Sequence, residues 1–354
     1  MLVFLSKGDR MDLFLQILYT VLILGFLIFI HELGHFTVAK LSKIKVNEFS
    51  LGMGPAIFKK QGKQTLYSLR LLPIGGYVKM EGEDENSEDP DSFSKKPVLI
   101  RMAVVVAGAF MNILLGFIVT AILVSTSAKL PSVTVGEFTE NALSQTCGLQ
   151  VGDTITEVNG KKINIYMDLS AAFSRAYGKD AVDITVIRNG ETVKLEDVKF
   201  EKYEIAKDME SIYPDFKVYA KEKTFGNVVH ETFFRTISFV TLTYESFGDI
   251  ITGRASLKYV SGPVGTSEVI AQAAKSGWDS ILYLIALITI NLGVVNMLPL
   301  PALDGGRFVF LLIELIRGKP INQKYESVVH LVGMALLLIL MVVITFKDIF
   351  FPIY

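Results

Sequence analysis

From Leu13 to Ile30 only Gln16 and Thr20 interrupt an apolar run, and that run leads directly into His31-Glu-Leu-Gly-His35. Carried as helix to Lys40, the segment is about 40 Å long at 1.5 Å per residue, enough to cross the roughly 30 Å hydrocarbon core of a bilayer. Two imidazoles and a carboxylate within one turn of such a helix each cost roughly 2 kcal/mol or more unless they have a use. His31 and His35 stand four apart, so on a helix they share one face and can offer one nitrogen each to a single Zn²⁺. Glu32, on the adjoining face, is placed to accept a proton from metal-bound water. Two imidazoles leave a catalytic zinc one protein ligand short, so the rest of the chain has to supply a third.

The composition agrees with a membrane setting: 51% of residues are hydrophobic, 20% are charged, and mean hydropathy is +0.43. The expected class is an α-helical membrane protein. A net charge of −1 with scattered basic residues gives no footing for nucleic acid, and the single Cys147 excludes an internal disulfide and a cysteine-rich zinc site. No small-residue cleavage site follows the first apolar stretch, so no removed signal peptide is expected, and Met11 is an alternative start.

Six segments follow from the pattern. Residues 1–44 hold the first membrane helix, and Lys40, Lys43 and Lys45 mark its cytoplasmic end. Residues 45–97 alternate short β-type runs, Val46–Leu51, Ala56–Lys60, Thr65–Leu72 and Tyr77–Met80, with Gly and Pro punctuation. These make a small sheet whose open edge, with Gly75 and Gly76, is expected to hold substrate extended. Glu81 to Asp91 then carries seven acids in eleven residues and reads as a solvated, mobile loop. Residues 98–130 form the second span, with Gly108, Asn112 and Gly116 on one face for close helix contact; Asn112 is either a packing residue or a substrate contact.

Residues 131–204 are polar and β-rich, with Asn159-Gly160 and Asn189-Gly190 as hairpin turns and a short helix over 169–177. A sheet flanked by one helix leaves a groove for an extended peptide. Residues 205–280 contain an amphipathic helix from Val229 to Ile251, lying on the outer membrane surface or packed beneath the preceding domain. His230 is expected to be exposed. Residues 281–354 hold a third apolar run broken at Pro299 and Pro301, then Leu303-Asp-Gly-Gly-Arg307, then a fourth run from Val328 to Phe346. Broken helices at membrane depth survive only where they are buried in protein or line a cavity. Asp304 is therefore chosen as the third ligand, with a helix N-cap as its other reading, and Asn296 as a donor to a developing oxyanion. His330 is read as a packing residue. Four crossings put residues 131–280 outside and both halves of the metal site near the cytoplasmic leaflet.

These residues resemble the site-2 protease family of intramembrane zinc metalloproteases, in its bacterial RseP/RasP-like branch. The resemblance is carried by His31-Glu-Leu-Gly-His35, by Pro73-Ile-Gly-Gly-Tyr-Val-Lys-Met80, and by Asn296-Met-Leu-Pro-Leu-Pro-Ala-Leu-Asp-Gly-Gly306. Between them, Gly148-Leu-Gln-Val-Gly-Asp153 and Val158-Asn-Gly160 look like one PDZ domain. One departure is that Ala109 follows Gly108 where the family often has Pro.

The resemblance implies four transmembrane helices, a membrane-associated β-sheet and an extracytoplasmic PDZ domain. It implies Zn²⁺ on His31, His35 and Asp304, Glu32 as general base and acid, and Asn296 as oxyanion or substrate contact. Gly75, Gly76 and Asn112 are expected to contact substrate, and Val135, Gly136, Gly148 and Leu149 to line the PDZ groove. The implied setting is a bacterial plasma membrane. The implied substrates are single-pass membrane proteins, such as anti-sigma factors or signal-peptide remnants, first cut by another protease. Rival readings are a membrane scaffold that binds peptides, a zincin cutting loops outside the bilayer, and a transporter.

Overall fold

The computed structural model describes residues 7–83, 87–176, 178–206, 209–254, 256 and 260–351; Met1 and the centre of the acidic stretch lie outside them. The chain divides into two compact units, residues 1–119 with 239–354, and residues 120–238. In chain order the elements are α1 (Lys7–Leu41), β1 (Val46–Gln61), β2 (Leu66–Met80), α2 (Val98–Thr126), β3 (Leu130–Phe138), α3 (Leu143–Thr146), β4 (Thr154–Val158), β5 (Lys161–Lys162), α4 (Tyr166–Ser174), β6 (Ala181–Arg188) and β7 (Glu191–Lys199). They continue with β8 (Lys202–Ala206), β9 (Met209–Ile212), β10 (Phe216–Lys221), α5 (Phe225–Ile251), α6 (Pro263–Ser276), α7 (Trp278–Asn296), α8 (Asp304–Arg317) and α9 (Gln323–Phe350).

Four of the described helices are long and apolar enough to cross a membrane: Asp12–Leu41, Val98–Thr126, Trp278–Asn296 and Lys324–Phe350. The third apolar run of the sequence ends at Asn296, where two prolines close downstream forbid further helix, and α8 restarts at Asp304. Backbones approach through missing side chains. A β-carbon on Gly34 of α1 would fall 2.3 Å from the Ala107 carbonyl oxygen of α2, and one on Gly116 of α2 would fall 2.3 Å from Ile290 of α7. Gly293 of α7 faces the Ala109 carbonyl in the same way. Small-residue contacts of this kind let helices pack where apolar burial alone gives no drive.

The four short β runs are recovered as two strands folded on themselves. The start of β1 pairs with the end of β2 on one side (Phe49↔Val78) and with the start of β2 on the other (Phe49↔Tyr67), while the rest of β1 returns to the start of β2 (Phe58↔Leu69). The order across this curled sheet is 76–80, 46–51, 66–72, 56–61. Gly52 and Gly54, both at φ 81°, allow the bend. Within it, Arg70 donates to Glu48 at 2.7 Å and Ser68 to the same carboxylate at 2.6 Å. Burial works to raise the Glu48 carboxyl, but these donors outweigh it and hold the group below its ordinary value.

The described flanks of the acidic stretch, 81–83 and 87–91, are tied down, where the sequence pattern suggests a solvated, mobile loop. Lys45 pairs with Asp89 at 2.8 Å, Asn47 and Ser87 donate to Glu81, and the Phe93 N–H donates to the Glu81 carbonyl.

The second unit is built around a sheet of order β10-β3-β4-β6-β7, with β5 beside β4. Its core alternates from the strands and α4: Val133, Val135, Ile155, Leu169, Phe173, Ile184, Val186 and Val198 are all buried. Both Asn-Gly turns form as expected, with φ 50° and 75° at Asn159-Gly160 and 51° and 87° at Asn189-Gly190. The short helix starts three residues earlier than the sequence pattern indicates, and Tyr177 is outside the described residues. Arg188 clamps buried Asp153 through two bonds of 2.8 and 2.7 Å and also donates to the Gly148 carbonyl at 2.7 Å.

The pairing of β3 bears on the groove expected at Val135, Gly136, Gly148 and Leu149. β3, which carries Val135 and Gly136, is hydrogen-bonded on both sides, to β10 (Val218↔Val135) and to β4 (Thr134↔Thr154), so it has no edge left to offer. Leu149 is fully buried in the core. Among the described residues the open edge on that side belongs to β10.

α5 buries a face of polar side chains together with Phe239. Glu231, Thr232, Thr236 and Thr243 are buried, while Phe233, Ile237 and Tyr244 are exposed. His230 is exposed as expected. The helix α6 was not anticipated; its N-terminus is held by Asp348 of α9, whose carboxylate accepts the N–H groups of Gly262 and Gly265 at 2.8 and 2.9 Å.

Candidate metal centre

Three elements deliver the candidate ligands. The 3.6-residue period of α1 stacks His31 and His35 on one face, and both are buried at 8% exposure. Asp304 opens α8, after a turn in which Leu300 N–H reaches back to the Leu298 carbonyl at 2.7 Å. Leu303, not Asp304, occupies the N-cap position, so the capping alternative for the carboxylate does not hold. The Asp-Gly-Gly sequence is needed for this start. β-carbons at 305 and 306 would meet the carbonyl oxygens of Leu298 and Leu300 at 2.2 and 2.4 Å.

The three donor atoms form a nearly equilateral triangle. His31 Nε2 and His35 Nε2 are 3.2 Å apart, and Asp304 Oδ2 lies 3.1 and 3.3 Å from them. Tetrahedral coordination at about 2.0–2.1 Å separates its ligand atoms by about 3.3–3.4 Å, so one zinc-sized ion fits the triangle with small adjustment. Asp304 Oδ2 is buried, and despite its closeness to the imidazoles no donor meets it with hydrogen-bond geometry. A buried carboxylate oxygen left so is costly unless a cation completes it.

The outer nitrogens of the imidazoles are spoken for. His35 Nδ1–H donates to the Val104 carbonyl at 2.8 Å, which leaves the lone pair on Nε2. His31 Nδ1 faces the Asn112 amide at 3.2 Å, and the Asn112 oxygen is buried without a partner. A half-turn of that amide brings the oxygen onto Nδ1–H, satisfies it, and frees the His31 Nε2 lone pair for the ion. Asn112 is fully buried with its amide against His31, a position that fits the packing alternative of its two readings.

Gly108 makes this possible. A β-carbon there would stand 2.3 Å from His35 Nε2 and 2.8 Å from His31 Cε1. The Ala109 that replaces the family's proline leaves α2 an uninterrupted helix.

Glu32 lines the same cavity as the three ligands, a space of about 580 Å³ that also reaches Gly76, Lys79 and Arg307. Gly76 lies close against Glu32, for a β-carbon on it would be 2.8 Å from Glu32 Cγ. The outer edge of β2, residues 76–80, therefore forms one wall of the cavity, while Gly75, at φ 75°, faces Met53. Asn296, the last residue of α7, places its amide nitrogen 3.5 Å from His31 Nε2, at the rim of the triangle. Sequence reasoning missed three contributors: the Val104 carbonyl; Arg307, which pairs with Glu83; and His330, which accepts the Ala302 N–H. Arg307 carried a signal, since it follows Asp304 by three residues and shares its helix face, and His330 stood out as a polar residue in an apolar run.

A helical core that closes two histidines of one helix and an aspartate of another around one point, with a glutamate beside them, is the architecture of a metal-dependent peptidase. The chain belongs to Peptidase family M50, whose model matches residues 19–340. The FN1322 protein of Fusobacterium nucleatum is similar at 40% identity over 341 residues, covering 94% of this chain and 98% of its own. Zinc metalloprotease RasP of Shouchella clausii and Regulator of sigma-W protease RasP of Bacillus subtilis are each 30% identical, over 92% and 93% of this chain and 97% of theirs.

Proposed function

We propose that this protein is a zinc metalloendopeptidase that hydrolyses peptide bonds within membrane-spanning segments of other proteins. The observation that carries the reading is the donor triangle of His31, His35 and Asp304 with its unsatisfied carboxylate oxygen. When bound, Zn²⁺ polarises a carbonyl and acidifies its water. Glu32 takes the proton from the attacking water and returns it to the leaving amine. The Asn296 amide, at the rim, donates to the oxygen on which negative charge develops. Val104 and Asn112 hold the imidazoles in the tautomer that leaves Nε2 free.

The membrane setting rests on exposed apolar surface. Along α9, Leu331, Leu336, Ile339, Val343 and Phe346 are each 58% exposed or more, a surface suited to lipid and not to water. Exposed Phe233, Ile237 and Tyr244 on α5, and Ile57, Phe58 and Leu71 on the curled sheet, favour contact with lipid at those surfaces. Four crossings of a bacterial plasma membrane leave the β-rich segment facing away from the cytoplasm, with the metal site near the cytoplasmic leaflet, as the lysine distribution indicates. A substrate helix hides its peptide bonds in its own hydrogen bonds and has to unwind before cleavage. The 76–80 edge on the cavity wall supports pairing with the unwound strand.

The second unit reads as a PDZ domain, and the free edge of β10 is the strand edge it can offer an extended peptide. It filters substrates by ectodomain size or reads ends left by an earlier cut. Anti-sigma factors and signal-peptide remnants are the substrate classes proposed; one relative's name ties it to sigma-W regulation.

The test is the purified protein in lipid. It should hold one zinc per chain, and Glu32→Gln should keep that zinc while cleavage of a transmembrane substrate falls by a factor of about 10² or more. Absence of stoichiometric zinc in the wild type, or full turnover by the variant, sinks the reading.

A further inference from the structure

The residue Ala302, two before Asp304, has φ 72°, a left-handed conformation that is strained for a residue bearing a side chain. Something outside the turn has to hold it there, and α9 does so at two points one turn apart. His330 Nδ1 accepts the Ala302 N–H at 2.9 Å, and Gly333 lies against Pro301, where a β-carbon would come within 2.3 Å of the proline Cβ. His330 and Gly333 are the inward points of an otherwise outward-facing stretch: Val328, Val329, Leu331, Val332 and Met334 are all exposed. The His330 ring also meets Phe310 of α8 at 5.6 Å between centroids, so it touches the turn and the helix that starts after it. To accept, Nδ1 must carry the lone pair, which places the ring proton on Nε2.

We infer that His330 is a positioning residue: its acceptor nitrogen locks the strained turn so that Asp304 meets the two imidazoles. The inference rests on the assignment of Asp304 as a metal ligand. The alternatives in the fold are weaker. Arg307–Glu83 belongs to the cavity already described, and Asp348 only closes the start of α6.

The experiment follows zinc release from the loaded, full-length protein to an excess of chromophoric chelator, together with thermal unfolding. His330→Phe keeps a ring against Phe310 and removes the acceptor; release should quicken about tenfold or more. His330→Asn places an amide oxygen where Nδ1 stood and should stay within about threefold of the wild type. In an Ala302→Gly background, where φ 72° carries no strain, His330→Phe should lose most of its effect.

Wild-type release from His330→Phe overturns the inference. So does tenfold faster release from a folded His330→Asn, which decides the matter even if the phenylalanine variant fails to fold. Asp304→Ala separates the two levels. If it releases zinc quickly while His330→Phe does not, only the positioning role falls; if Asp304→Ala keeps its zinc, the ligand assignment falls and this inference with it.

Discussion

The two units solve the problem of an interior in opposite ways. The β-rich unit fills its core with branched and aromatic side chains from alternating strand positions, and each buried group contributes by what it occupies. The helical unit packs a core of its own around Phe49, Val104 and Leu311, but around the candidate metal site it builds from absences. Gly34, Gly108, Gly116 and Gly293 bring backbones and imidazoles together where any β-carbon would collide. Buried polar groups then do the joining, through His35 to Val104 and His31 to Asn112. In the β-rich core removing atoms is destructive; at the helix contacts around the candidate metal site adding them is.

The sharpest way to break the contrast is to add one carbon. Gly108→Ala puts a methyl 2.3 Å from His35 Nε2 and should abolish both zinc binding and cleavage, read by metal analysis of a protein that still inserts in membranes. Removing carbons from the other unit should act locally. Leu169→Ala empties a fully buried site in α4 and should cost about 2–5 kcal/mol of that unit's stability, seen as earlier proteolysis between 131 and 221, with zinc content unchanged. Asp153→Asn weakens the clamp with Arg188 and should cost about 1–3 kcal/mol by the same assay. Lys217→Ala removes a pair whose side chains are 73% and 70% exposed and should change nothing measurable. A Gly108→Ala protein with full zinc, or a Leu169→Ala protein without it, would show that the two interiors are not built on separate rules.

The same contrast governs what could be read from the residues alone. His31, Glu32, His35 and Asp304 were legible because their chemistry is rare inside apolar runs, and the four short β segments and both Asn-Gly turns were legible because their patterns are local. The fold-back of β1 and β2 into one curled sheet was not, since register depends on which segments meet. Nor was the partner of β3, for β10 lies some eighty residues downstream of it and carries no mark of where it pairs. Asn112 and His330 were visible as polar residues in apolar helices. Their partners, an imidazole and a backbone N–H, come from distant parts of the chain.

The pairing of β10 with β3 carries one more consequence. Its last rung sets Lys221 opposite Leu130, so the chain enters and leaves the β-rich unit at neighbouring points, about 5 Å apart. The ninety residues between them return the chain to the same end of the sheet. A turn of two or three residues could therefore close that rung, so the length of chain inserted between Leu130 and Lys221 does not set the spacing of its own two ends.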